Sequence, residues 1–159
     1  MRNIRTILCG AAMTALVGAT GTVGFAQDIN DPGERIEARH GYMLMLAMNV
    51  ATLGGMAKGD TPYDAAVATA AAVNIQSLAS VDTSFLWVDG TDANSNEESS
   101  ALPEIFADPA ARATKFAALK TAADAMAGAA GTDLASLQGA MAGLGGACAD
   151  CHKAYRKPE

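Results

Sequence analysis

LASLQGAMAGLGGACADCHKAYR, residues 134–156, carries both the periodicity and the chemistry of the chain. Leu134, Leu137, Met141, Leu144, Cys148, Cys151 and Tyr155 follow one another at intervals of 3, 4, 3, 4, 3 and 4 residues. That spacing puts all seven on one stripe of an α-helix. Two thiols therefore continue a leucine seam, and His152 directly follows the second. Cys148-Ala149-Asp150-Cys151-His152 has the C-x-x-C-H form of a covalent haem attachment site. In such a site each thiol is joined to one vinyl group as a thioether, and the histidine meets the iron from one face. Three other chemistries use cysteines at this spacing: a structural disulfide, a thioredoxin-like redox pair and half of a zinc site. A thioredoxin-like pair belongs at the start of a helix in an α/β fold, whereas this one lies near the end of the last helix. A closed zinc site needs four ligands, and His40 is the obvious further donor.

Helical periodicity recurs upstream. Asp31-Pro32 pairs a capping side chain with a proline suited to a first turn. The helix it opens has Ile36, His40, Met43, Ala47, Val50, Gly54 and Ala57 as its expected buried stripe, and Gly59-Asp60 breaks it. Thr61-Pro62 reads as a second start, with Tyr63, Val67, Ala70, Val73 and Leu78 inward and an end near residues 80–82. Asp108-Pro109 opens a third helix along Phe116, Leu119, Ala123, Met126 and Ala130, and Gly131-Thr132-Asp133 ends it and caps the fourth. Residues 82–107 form a long connection. Phe85, Leu86 and Trp87 are apolar enough to pack over something, residues 92–97 read as solvated, and residues 101–106 return to the core as a short turn. Connections of this length are more often functional than idle. Two short breaks and one long crossover predict an all-α fold: an antiparallel four-helix bundle with haem near the C-terminal end of the last helix. Gly143, Gly145 and Gly146 each cost about 1 kcal/mol against alanine. They either admit a flat macrocycle close to the backbone or allow tight helix packing.

Residues 1–26 read as a cleaved signal peptide: Arg2 and Arg5, an uncharged apolar run, then Gly24-Phe25-Ala26. Cys9 falls inside it and is excluded from the site. Residues 27–159 then form one domain of 133 residues with 9 basic and 17 acidic side chains, a formal charge of −8. Such a surface suits neither nucleic acid nor an anionic membrane. Export implies the periplasm, where disulfides persist, yet two cysteines are too few for a disulfide scaffold.

With His152 as the axial iron ligand, another helix must cover the opposite face. Met43 is the candidate, either shielding an open iron or binding it as sixth ligand; a methionine on an apolar stripe is otherwise core. His40 reads as a surface or haem-edge residue. Arg39 and Arg156 are placed to pair with haem propionates, while Arg112 and Lys115 read as solvated helix-face charges. Without an evident distal acid–base pair the chain does not read as a peroxidase or other enzyme.

These features together resemble the class II c-type cytochromes, cytochrome c′ in particular. The resemblance spans essentially the whole exported chain. It rests on Arg39-x-x-x-Met43, on Lys58-Gly59-x-x-Pro62-Tyr63-Asp64-Ala65-Ala66, on Ala101-Leu102-Pro103-Glu104-Ile105-Phe106 and on Cys148 through Arg156. It implies a homodimer of four-helix bundles with one covalent haem c per chain, five-coordinate and high-spin, held by Cys148, Cys151 and His152. It implies Met43 over the distal side, Arg39 and Arg156 near the haem, and binding of nitric oxide or carbon monoxide, with electron transfer to a partner the sequence does not name. His40 stands where the family carries glutamine, Glu98 matches an acidic haem-edge residue after a lengthened loop, and Phe106 replaces a common tryptophan. A low-spin branch, cytochrome c-556-like, carries electrons with the first-helix methionine on iron, and Arg39-x-x-x-Met43 suits that branch too.

Overall fold

The computed structural model describes residues 30–158; the expected leader, with Cys9, lies outside them. Four long helices, α1 (Pro32–Lys58), α2 (Ala65–Ala79), α4 (Pro109–Ala129) and α5 (Leu134–Tyr155), are joined by two short turns and one crossover that contains the single-turn α3 (Glu104–Ala107). An aspartate caps each long helix. Asp31, Asp64, Asp108 and Asp133 accept backbone N–H bonds from the first turn, satisfying orphan donors and placing negative charge at the positive end of the helix dipole. Gly59 ends α1 in the left-handed region, φ 80°, and this lets the Gly59 and Asp60 N–H groups close on carbonyls of the last turn. The second helix starts later than expected. Asp64, not Thr61, is its cap, because the Asp64 carboxylate reaches the N–H groups of both Ala66 and Val67.

α1 packs on α2 and α5, and α4 closes the square by packing on the same two helices. Cross-helix bonds give the directions. Tyr42 donates to Leu78 O and Asn74 to Asn49 across α1 and α2; Gln76 donates to Asp124 across α2 and α4; Gln138 donates to Ala57 O across α5 and α1. Across α1 and α2 the partners run 42 with 78 and 49 with 74; Gly131 beside Thr69 and Gly54 beside Met141 supply the second point for the other two pairs, so all three run antiparallel. The all-α four-helix bundle is as the periodicity of the sequence predicts.

The inward faces of α1 and α2 differ from the expected stripes. In α1 the buried side chains are Ile36, Arg39, Leu46, Leu53 and Met56, so the stripe is rotated by one residue from the expected His40–Ala47–Gly54 line. Leu44, Met45 and Met48 are 60%, 54% and 63% exposed on the outer side, which makes α1 apolar nearly all round and blurs its periodicity. In α2 the valines face outward, Val67 and Val73 being 45% and 44% exposed, and Ala68, Ala71, Ala72, Ile75 and Ala79 are buried instead. Small side chains allow a close helix approach that bulk alone does not reveal. In α4 the expected Ala123, Met126 and Ala130 are buried, and in α5 so are Leu137 and Leu144. Gly143, Gly145 and Gly146 are exposed and do not serve tight helix packing: a Cβ built on each meets nothing within 4 Å.

The crossover folds over one end of the bundle and is tied to the end of α5. The Leu102 N–H donates to Tyr155 O and the Lys157 N–H to Ser100 O, both at 2.8 Å. Its centre is organised by Arg39, only 4% exposed. One guanidinium nitrogen donates to Leu86 O at 2.9 Å and Thr91 Oγ1 at 2.6 Å, and the other to Thr91 O at 2.6 Å and Ser99 Oγ at 3.2 Å. All four acceptors are neutral. Thr91 and Ser99 are buried with it, so the part of the connection nearest α1 is not the solvated strand its composition suggests.

Candidate functional site

Two adjoining cavities lie where α5 meets α1 and α4. The first, about 230 Å³, is walled by α1 through Met43, Leu46 and Val50, by α4 through Lys115, Phe116 and Leu119, and by α5 through Cys148, Cys151 and His152. The second, about 400 Å³, runs beneath the crossover, against Arg39, His40, Met43, Trp87, Ser99, Ser100, Tyr155 and Arg156 among others. Met43, Ala47, Cys151 and His152 belong to both. Their combined size falls in the roughly 300–1,000 Å³ range of cofactor pockets.

The seam of α5 brings the two thiols to this wall, one turn apart. Cys148 and Cys151 are free and half-buried. Burial raises both thiol pKa values; for Cys151 the Lys115 charge opposes the rise, and the neighbouring Cys148 adds to it. His152 is pushed the other way, first by burial and then by the positive charge of Arg156, so near neutral pH its imidazole is the uncharged form that ligates metal. Among the described residues no group of three or more His, Cys, Asp or Glu side chains converges as a metal cage.

The structure sorts the other candidates. Met43 stands on α1 at both cavities. His40 is exposed at the rim of the second rather than inside the helix stripe, because the stripe turns on Arg39 instead. Arg39 reaches the second cavity with its donors committed to the crossover, while Arg156 lines it from the end of α5. Glu98 is exposed and outside both linings; Ser99 and Ser100 stand there in its place, since the turn at residues 95–98 carries the carboxylate outward. Two basic residues are less solvated than the sequence suggests. Lys115 is half-buried at the first cavity, and Arg112 donates to Ile105 O at 2.9 Å while lying 5.8 Å from the Trp87 ring centre. Trp87 is the residue that sequence reasoning passed over as packing. It touches Phe106 and Phe116 edge-on, both at 6.0 Å between ring centres, and its enclosed Nε1 has no acceptor.

A wall carrying two thiols one turn apart and a neutral imidazole, beside adjoining apolar cavities, fits a haem bearing vinyl groups. Fold and site define a c-type haem protein built on a four-helix bundle. The chain belongs to the cytochrome c′ family, whose family model matches residues 34–156, and as a member it takes covalently attached haem c. It is 48% identical to a cytochrome c-554 of Cereibacter sphaeroides over 134 residues, 84% of this chain and 88% of that one. It is 33% identical to a cytochrome c′ of the same organism over 153 residues, 96% of this chain and 98% of the relative. The solved cytochrome c′ from Rhodobacter Spheriodes superposes with a TM-score of 0.79 at 35% identity, covering 81% of this chain and 99% of that chain.

Proposed function

We propose that Cys148 and Cys151 hold the haem by thioethers, that His152 is its axial ligand, and that Met43 closes the opposite face of a five-coordinate, high-spin iron able to take nitric oxide or carbon monoxide. Bound haem supplies an iron that can change oxidation state and accept a diatomic ligand. The protein's part is to orient and enclose it. His152 presents a neutral nitrogen from a rigid helix, and the surface opposite is apolar. The carrying observation is that Met43 borders both cavities together with His152, with Leu46, Val50, Phe116 and Leu119 around it. Small apolar gases enter such a space readily, and water gains little there. Variants of a related cytochrome c′, from Alcaligenes xylosoxidans at 28% and 27% identity, have been solved with carbon monoxide and with NO bound, which supports the reading.

The location of Met43 also favours a second reading, in which its sulfur binds iron and electron transfer is the whole task. Absorption spectra of the ferric and ferrous protein, with and without carbon monoxide, separate the two. A broad high-spin spectrum and a carbon monoxide adduct are expected, and Met43→Ala should leave the spectral type unchanged. A sharp low-spin pattern with a methionine–iron band, lost in Met43→Ala, selects the electron carrier.

The apolar outer face of α1 is where we place a second copy of the chain. Leu44, which also borders the second cavity, and Met45 and Met48 are more than half exposed, and clustered apolar side chains on a surface mark interaction sites. Light scattering on the holoprotein should report a dimer, and Met48→Glu should shift it to monomer; a wild-type monomer refutes this placement. The signal pattern of residues 1–26 supports a periplasmic site of action, and among the described residues no helix is long and apolar enough to cross a membrane.

A further inference from the structure

We propose that the indole N–H of Trp87 is a haem-anchoring donor that hydrogen-bonds one of the propionate carboxylates. The proposal rests on the haem reading above. Trp87 borders the second cavity, and its Nε1 is the one buried side-chain polar atom among the described residues with no hydrogen-bond partner. A buried donor left unmatched costs about 1–3 kcal/mol, so an acceptor is called for. The surroundings specify its charge. The Arg39 guanidinium lies 5.2 Å from the Trp87 ring centre and that of Arg112 5.8 Å. The acceptors recorded for both cations are neutral oxygens: those of Leu86, Thr91 and Ser99 for Arg39, and that of Ile105 for Arg112. An anion bound at Nε1 is therefore stabilised by two nearby positive charges, neither of which forms an ion pair with a carboxylate among the described residues.

The indole is also held in place. Edge contacts to Phe106 and Phe116 fix its plane, and an ordered donor spends little entropy on binding. Arg39 then acts behind Trp87. Four hydrogen bonds commit its guanidinium to the crossover, so it lends charge and holds the loop while the indole makes the contact. This division of labour is absent from the sequence, where arginine is the expected propionate partner and Trp87 is packing.

The chain has a single tryptophan, so its indole signals need no assignment. The holoprotein is prepared with isotope-labelled indole nitrogen and with haem whose propionate carboxylate carbons are labelled biosynthetically. In the wild-type protein a through-space dipolar coupling between the two labels is expected. In Trp87→Phe, whose ring keeps the packing, one labelled carboxylate stretch should move towards the position of a free carboxylate while the other stays. Overturning results are no coupling in the wild-type protein, or labelled carboxylate bands identical in the two proteins; an indole band of the hydrogen-bonded type without the coupling assigns the donor to water and likewise overturns it. The wild-type coupling stands alone if Trp87→Phe does not fold. Loss of the haem absorption itself would instead strike at the haem reading.

Discussion

Replacing Cys148 and Cys151 together by serine should yield a chain that retains no haem through denaturing electrophoresis or mass spectrometry. Either single replacement leaves one thioether and a shifted absorption spectrum. Serine keeps the size of the side chain but offers a hydroxyl, a far weaker nucleophile than a thiol towards a vinyl carbon. The effect reaches stability as well. The first cavity alone measures about 230 Å³, and core changes that leave apolar walls without contacts cost ~2–5 kcal/mol. Total stabilities are about 5–15 kcal/mol, so the double variant should lose cooperative thermal unfolding at the α5 end first. Full retention of haem by the double variant under denaturing conditions would show that the attachment lies elsewhere.

Arg39→Ala should destabilise the holoprotein by about 3 kcal/mol in chemical denaturation, the second largest effect expected. Four hydrogen bonds vanish, and the oxygens of Leu86 and Thr91 lose the guanidinium donors while Ser99 Oγ keeps only the Ala101 N–H; each buried oxygen left unmatched costs ~1–3 kcal/mol before water re-enters. The loss should be local in hydrogen exchange: amides of residues 86–99 lose protection while those of α4 keep theirs. Arg39→Lys should recover little, because one ammonium cannot reproduce the paired geometry of the guanidinium. Unchanged protection across residues 86–99 would mean that the crossover is held by its bonds to α5 alone.

Much of the molecule could be read in advance, and the reasons differ by element. The aspartate-proline starts of α1 and α4 and the aspartate start of α5 are local chemistry, decided within a few residues, so the caps at Asp31, Asp108 and Asp133 were legible. The start of α2 was misplaced because Thr61-Pro62 and Asp64 both carry capping signals and only the folded backbone selects between them. The seams of α4 and α5 were legible since each has one apolar face. Those of α1 and α2 were not. α1 exposes Leu44, Met45 and Met48 on its outer side, and α2 buries alanines while its valines face out, so hydrophobic bulk misdirects the reading. The exposure of Glu98 outside both linings was not legible for a related reason: a turn of a few residues decides whether a loop carboxylate faces in or out, and no periodicity governs it.

By itself the sequence determined the motif and its setting. Cysteines at 148 and 151 followed by His152 stand on one 3-4 seam of α5 and form the C-x-x-C-H pattern on which the proposed attachment rests, because bonded order and helical pitch are local properties. Only the tertiary structure decided what surrounds it. Which residue of α1 faces α5, that Arg39 belongs to the crossover, and that Trp87 keeps a buried unmatched donor all depend on contacts between residues 39, 87, 106 and 116. Such contacts are set by packing across long sequence separations, where many pairings share one pattern and volume, charge and hydrogen bonding select among them together.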